Sequence, residues 1–200
     1  VTVRYLRARR VPAALLGSSG AIVLVVAVWW LFAEDGPVFP VLAVLAVALG
    51  LAPLVPTLAG NDAALEATAA LPWPPRRLAH LVACGAVVAG LLYAARLGGA
   101  DFGPAGQIVR NVAGLVGVAG LAAGLLGTGF AWPAPVALAA VQALGAPGEQ
   151  VWRQVAYWMM QPAGNRPAAV TAAVLLLAGL AAYAIRGGPT PVASEAPAAR

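Results

Sequence analysis

The stretch VLAVLAVALGLA, residues 41–52, decides the fold. Its apolar residues follow one another without alternating with polar ones, so it does not read as a strand with one wet face. Followed outward it grows into an apolar run over 38–60. A helix needs ~20 apolar residues to cross ~30 Å of hydrocarbon, and this run supplies them. Comparable runs occupy 11–33, 78–95, 108–130 and 167–185, with a shorter one at 131–146. Backbone amides in lipid must bond internally, and no series of ~10-residue alternating strands offers a barrel. The expected fold is therefore all-α: a polytopic integral membrane protein in which one domain, 1–186, holds six transmembrane helices.

Composition agrees with that reading. The chain is 62% hydrophobic and 10% charged with a mean hydropathy of +0.86, whereas a globular domain is about half apolar and about a quarter charged. The first apolar run is too long, and lacks the small-residue site, for a cleavable signal. Residues 187–200, GGPTPVASEAPAAR, are expected to form a disordered cytoplasmic tail.

Charge orients the spans. Arg4, Arg7, Arg9 and Arg10 precede the first run, which places the N-terminus in the cytoplasm by the positive-inside rule. Six crossings return the C-terminus to the same side. The inner segments then also carry Arg76, Arg77, Arg186 and Arg200, against Asp62, Glu66 and Glu195. Outside, Arg96, Arg110, Arg153 and Arg166 balance Glu34, Asp35, Asp101 and Glu149, so the whole formal charge of +5 lies on the inner face. Basic residues that hug membrane boundaries form no nucleic-acid patch, and no nucleic-acid partner is expected.

Several chemistries lack their residues. Cys84 is the only cysteine, no HExxH or His cluster offers a metal site, and no G-x-x-x-x-G-K-[ST] offers a nucleotide site. The sequence GSSG (17–20) superficially resembles the nucleophile motif of rhomboid-type proteases, with His80 as the only possible base. Ser18 and Ser19 lie in the first span and His80 begins the third, an order that leaves an intramembrane protease a remote alternative. Ionisable groups at mid-depth, which ion-coupled transport needs, are missing apart from boundary groups such as Arg96 and Arg110. Gln142 and Thr171 are among the few polar residues at depth. This favours a machine powered from outside the bilayer and an apolar or amphipathic cargo.

The gap GNDAALEATAALPWPPRRLAH, residues 60–80, is the least lipid-like part of the interior. Asn61 or Asp62 can cap a helix, AALEATAAL is made of strong helix formers, and Pro72 stops it. Asp62 and Glu66 share a face, Leu65 and Leu71 add apolar contact, and Trp73 with Arg76 and Arg77 anchors the next span. An ordinary capped loop fits the same residues.

The order of these elements resembles the membrane subunit of ABC-2 type transporters. The likeness is topological over 1–186 and local only in LEATAALPWPPRRLAHLV (65–82). It implies that Asn61, Asp62, Leu65, Glu66, Leu71, Pro72, Arg76 and Arg77 form a coupling helix that docks on a separate ATPase subunit. It further implies an ABC exporter, a bacterial cytoplasmic (inner) membrane, and a second permease chain in a homo- or heterodimer. The chain itself would bind no cofactor; ATP and Mg would sit on the partner ATPase, so the chain is not expected to be an enzyme. The alternative is a non-transporting scaffold, immunity protein or accessory subunit.

Two further features fit that resemblance, the stretch 131–165 and the segment 1–10, and two more are read from the spans themselves. The run at 131–146 is about 24 Å long as a helix, short of a bilayer. It is followed by GEQVWRQVAYWMMQPAGN (148–165), in which Val151, Val155, Trp158 and Met159, with Trp152 beside them, read as the apolar stripe of an outer amphipathic helix, re-entrant or interfacial. The segment VTVRYLRARR (1–10) can lie along the inner leaflet or serve only as a positive flank. Pro53 and Pro56 each remove a backbone donor near the inner end of the second span, giving a hinge or a tolerated kink. Gly114, Gly117, Gly120, Gly124 and Gly127 make one smooth helix face, for packing within the chain first and between chains second.

Overall fold

A computed structural model of the chain describes residues 9–32, 36–59 and 73–187. Among these residues there is no strand. The helices are α1 (Val11–Phe32), α2 (Pro40–Leu51), α3 (Trp73–Leu97), α4 (Ala105–Leu126), α5 (Pro133–Ala143), α6 (Val151–Ala156) and α7 (Arg166–Arg186), with 3-10 turns at Val55–Leu58, Thr128–Phe130 and Trp158–Met160.

Five segments are long and apolar enough to cross a membrane: Val11–Phe32, Pro40–Leu58, Pro74–Leu97, Ala105–Leu126 and Arg166–Arg186. The run expected to span at 131–146 instead yields α5, whose 11 residues reach only ~16 Å. Pro133 fixes its start, and Gly145, Pro147 and Gly148 follow its end. Neither end can be lengthened into the remaining apolar residues.

Prolines and glycines set the other boundaries. A proline in the first helical turn lacks an N–H that would have no partner there, and its φ suits a helix. Pro40 opens α2, and Pro74 and Pro75 sit in the first turn of α3, which therefore starts at Trp73 and not at the expected 78. Pro104 precedes α4, so that helix begins at Ala105; Gly127, at φ 85°, ends it at Leu126, short of the expected 130. Asn165 caps α7 by accepting a hydrogen bond from the Ala168 amide at 2.9 Å, and Gly187 closes it in the left-handed conformation. Residues 188–200, expected to form a tail, lie outside the described residues.

Contacts identify two ends of the bundle. At one, Arg9 and Tyr183 reach Leu58, and Thr57 meets His80. At the other, the Val38 amide donates to Asp101 O at 2.8 Å and Arg110 reaches Pro162. The first four long helices therefore alternate in direction, whereas α7 runs parallel to α4, from the Arg110 end to the Arg9 end. α4 is the central one, with 72% of its spanning window buried against 22% for α1.

The closest helix pair is α4 with α7. A Cβ placed on Gly117 would fall on the Leu175 carbonyl, one on Gly179 would fall on the Gly117 carbonyl, and one on Gly120 would stand 2.7 Å from the Gly179 oxygen. Gly124 faces Ala182 in the same way, and Gly114 lies under the Trp158 ring. The glycine stripe of α4 thus packs within the chain, as its spacing predicted, except that Gly127 serves the helix end.

Candidate functional site

Two polar knots interrupt this apolar bundle, one at each end. The first is built on the break in α2. Its helical ladder closes with Ala52 N donating to Ala48 O, after which Pro53 has no N–H to give and the next bonds shorten, Leu54 N to Leu51 O and Thr57 N to Leu54 O. The chain tightens into the turn Val55–Leu58, and α1 comes close at this point, since a Cβ on Gly17 would lie 3.0 Å from Pro53 Cβ.

Side chains from three other elements hold this turn. The Thr57 hydroxyl donates to Leu54 O at 2.6 Å and lies 2.9 Å from His80 Nε2. A threonine has one hydroxyl proton, so with that proton given to Leu54 it is His80 Nε2 that donates to the oxygen. Cys84, one turn further along α3, brings its Sγ to 4.0 Å from the same hydroxyl. Arg9 donates through Nη1 to Leu58 O at 3.1 Å and Thr57 O at 3.3 Å, and Tyr183 from α7 donates its hydroxyl to Leu58 O at 2.7 Å. Arg9, Thr57, Cys84 and Tyr183 are buried. Carbonyls freed by the proline break thus find their donors from the start of α1 and the end of α7.

The second knot grips the chain between α6 and α7. Here Arg110 and Asn111, in the second turn of α4, face the segment 157–162. Arg110 donates to Pro162 O at 2.7 Å, to Gln161 O at 2.6 Å and to Met159 O at 3.4 Å, and its Nε donates to Asn111 Oδ1 at 3.3 Å. Asn111 adds a bond to Met159 O at 3.1 Å. From α5, Gln142 donates to Ala156 O at 2.7 Å and accepts from the Met159 amide at 3.1 Å. Gln161 folds back to Tyr157 O at 3.3 Å. Burial makes every unmet backbone group costly, and these four side chains meet those of an irregular segment.

Several predicted positions look different in place. Val151, Trp152 and Val155 are exposed, whereas Trp158 and Met159 are buried. The single apolar stripe expected for an outer amphipathic helix is not formed: α6 ends at Ala156, Tyr157 turns at φ −113° and ψ 47°, and Trp158–Met160 wind as a 3-10 turn that drives both side chains inward. Arg110 is not the solvated boundary group the sequence suggested but is 7% exposed among carbonyls. Ser18 Oγ is buried without a hydrogen-bond partner, so it is not paired with His80. Thr171 returns its hydroxyl to Pro167 O at 2.9 Å.

Pro53 and Pro56 lie at the break in α2, one before and one within the turn. Arg76 is exposed on the first turn of α3, and Arg77 stands beside Gly187, where its charge suits the C-terminal end of α7. Asn61, Asp62, Leu65, Glu66, Leu71 and Pro72 lie outside the described residues. Among the described residues no three of His, Cys, Asp and Glu come together to hold a metal ion. An apolar cleft of about 230 Å³ opens between α3 and α4, lined by Val82, Gly85, Ala89, Val112 and Val116 with Leu176 of α7.

The reading of the sequence missed Asn111, Gln161, Thr57 and Tyr183 as partners. Adjacent Arg110 and Asn111 inside an apolar run were the one available signal, since a charge beside an amide at that depth needs an internal partner. Comparison with family models, curated proteins and solved structures finds no match for the chain.

Proposed function

We propose that the chain is the membrane subunit of an ATP-driven ABC transporter of the ABC-2 type, exporting an apolar or amphipathic substrate along a path formed with a second permease chain. The observation that carries this reading is the partial helix α5 joined to a clamped, irregular return segment before α7. That arrangement supports α5 as the core of a fifth passage and residues 148–162 as a re-entrant device before the sixth, of the kind the resemblance implies. Further support comes from the break in α2, which lies directly before residues 60–72, where the coupling helix is expected. In this reading the Arg9 end faces the cytoplasm of a bacterium, both termini are cytoplasmic, and the ATPase subunits supply ATP and Mg.

The mechanism follows from the parts. ATP-driven closure of the ATPases presses on residues 61–77, and the interrupted α2 yields where Pro53 and Pro56 deny it a continuous ladder. The apolar lining of the bundle suits a cargo that needs no charged binding group. Purification of the tagged chain from its native membrane should bring down a nucleotide-hydrolysing subunit, and replacing Leu65 and Glu66 together should release it while the membrane part stays folded. Unchanged transport and unchanged co-purification after that double replacement would remove the assignment.

A further inference from the structure

The turn Val55–Leu58 is joined to the bundle both along the chain and sideways, and the two links differ. One runs back along the chain into α2. It is interrupted between Leu51 and Val55, where Pro53 contributes no amide hydrogen and the bonds shift from the α to the 3-10 pattern. The other leaves the turn sideways. Leu58 O accepts from Tyr183 Oη at 2.7 Å and from Arg9 at 3.1 Å, both buried, and these donors stand 125 and 49 residues away in the chain.

From this we infer that the turn Val55–Leu58 is a latch that hands displacement to α7 and to the segment before α1 more directly than along α2. Tyr183 is the positioning residue of this latch. Its ring is fully enclosed at 1% exposure, so the hydroxyl has no room to follow a moving carbonyl without α7 moving too. α7 passes the movement on to α4, because Gly117 and Gly179 leave the two backbones in direct contact. The second knot lies further along the same path, where α4 holds residues 159–162 through Arg110. One continuous set of contacts therefore connects Leu58 at one end of the bundle with Pro162 at the other by way of α7 and α4. Within the transporter reading, on which its functional meaning rests, this is the path by which the ATPase stroke reaches the return segment.

Energetic coupling is reciprocal, so the latch can be tested from α7 with no ATPase present. The full chain is placed in lipid nanodiscs and amide hydrogen exchange is followed at Thr57 and Ala59, both of which donate within the turn. Tyr183→Phe, which removes one oxygen from an otherwise filled site, should speed exchange at both amides about five- to tenfold. Arg9→Gln should act in the same direction by a smaller factor. Ala46→Gly weakens α2 on the far side of the break and should change the two amides less than about twofold. Equal acceleration by Ala46→Gly and Tyr183→Phe would overturn the inference, as would unchanged exchange in Tyr183→Phe. A response to Tyr183→Phe in a chain that never retains an ATPase would keep the latch and discard the transporter reading.

Discussion

The two polar knots solve one problem by different means. At the Arg110 end a single cation and three amide side chains meet the carbonyls of residues 156–162, and all but Gln161 reach them from α4 and α5. At the Arg9 end the donors are distributed: one bond from α7, one from α3, and two from a residue ahead of α1. A charge-centred grip with four bonds holds a segment still, because hydrogen bonds to charged groups are worth roughly twice neutral ones. At the Arg9 end the guanidinium supplies only two of the bonds and separate elements supply the others, which ties those elements together while each bond remains separately breakable. The bundle is thus fastened at one end and articulated at the other.

Substitutions can break or sharpen that contrast. Gly117→Val places methyl groups on the α7 backbone and separates the two ends from their common support; a loss of at least about 3 kcal/mol in reversible denaturation from mixed micelles is expected. Arg110→Met keeps the volume but deprives Gln161 and Pro162 of their donor, and should cost about 2 to 3 kcal/mol while freeing Trp158 from its site, seen as a red-shifted tryptophan emission. Gln142→Ala removes one donor and one acceptor from the same grip, for about 1.5 to 2 kcal/mol in the same assay. Thr57→Val removes a single hydroxyl at the articulated end and should cost only about 1 kcal/mol, with exchange accelerated locally and Trp158 emission unmoved. If Thr57→Val proved costlier than Arg110→Met, the fastened and articulated ends would have to be exchanged. Asp101→Asn loosens an ion pair with Arg96 at 3.5 Å in which both partners are nearly half exposed, and should change stability by no more than about 0.5 kcal/mol.

Much of the fold was legible because it follows from composition and backbone chemistry. Apolar runs of the right length gave five of the helices, and the three- and four-residue glycine spacing of α4 gave the face that meets α7. Helix starts were less legible because Pro74 lies inside the first turn of α3 and Pro104 directly before α4, positions where proline opens a helix and does not end one. The site was harder for a different reason. Periodicity assumes a helix that continues, and the stripe from Val151 to Met159 loses its meaning once Tyr157 leaves helical geometry. Arg110 read as a boundary residue because distance along the sequence does not reveal that residues 159–162 fold back over it. Tyr183 and Leu58 are 125 residues apart, and no local pattern connects them.

The bare contact between Gly117 and Gly179 carries one more consequence. Interlocking side chains act as teeth that index one helix against another, and the ridges and grooves that fix helix positions are missing where backbone rests on backbone. No yielding side chain stands between the two helices there either, so the two backbones keep a fixed spacing, and a push at the Tyr183 end of α7 is carried into α4 undamped.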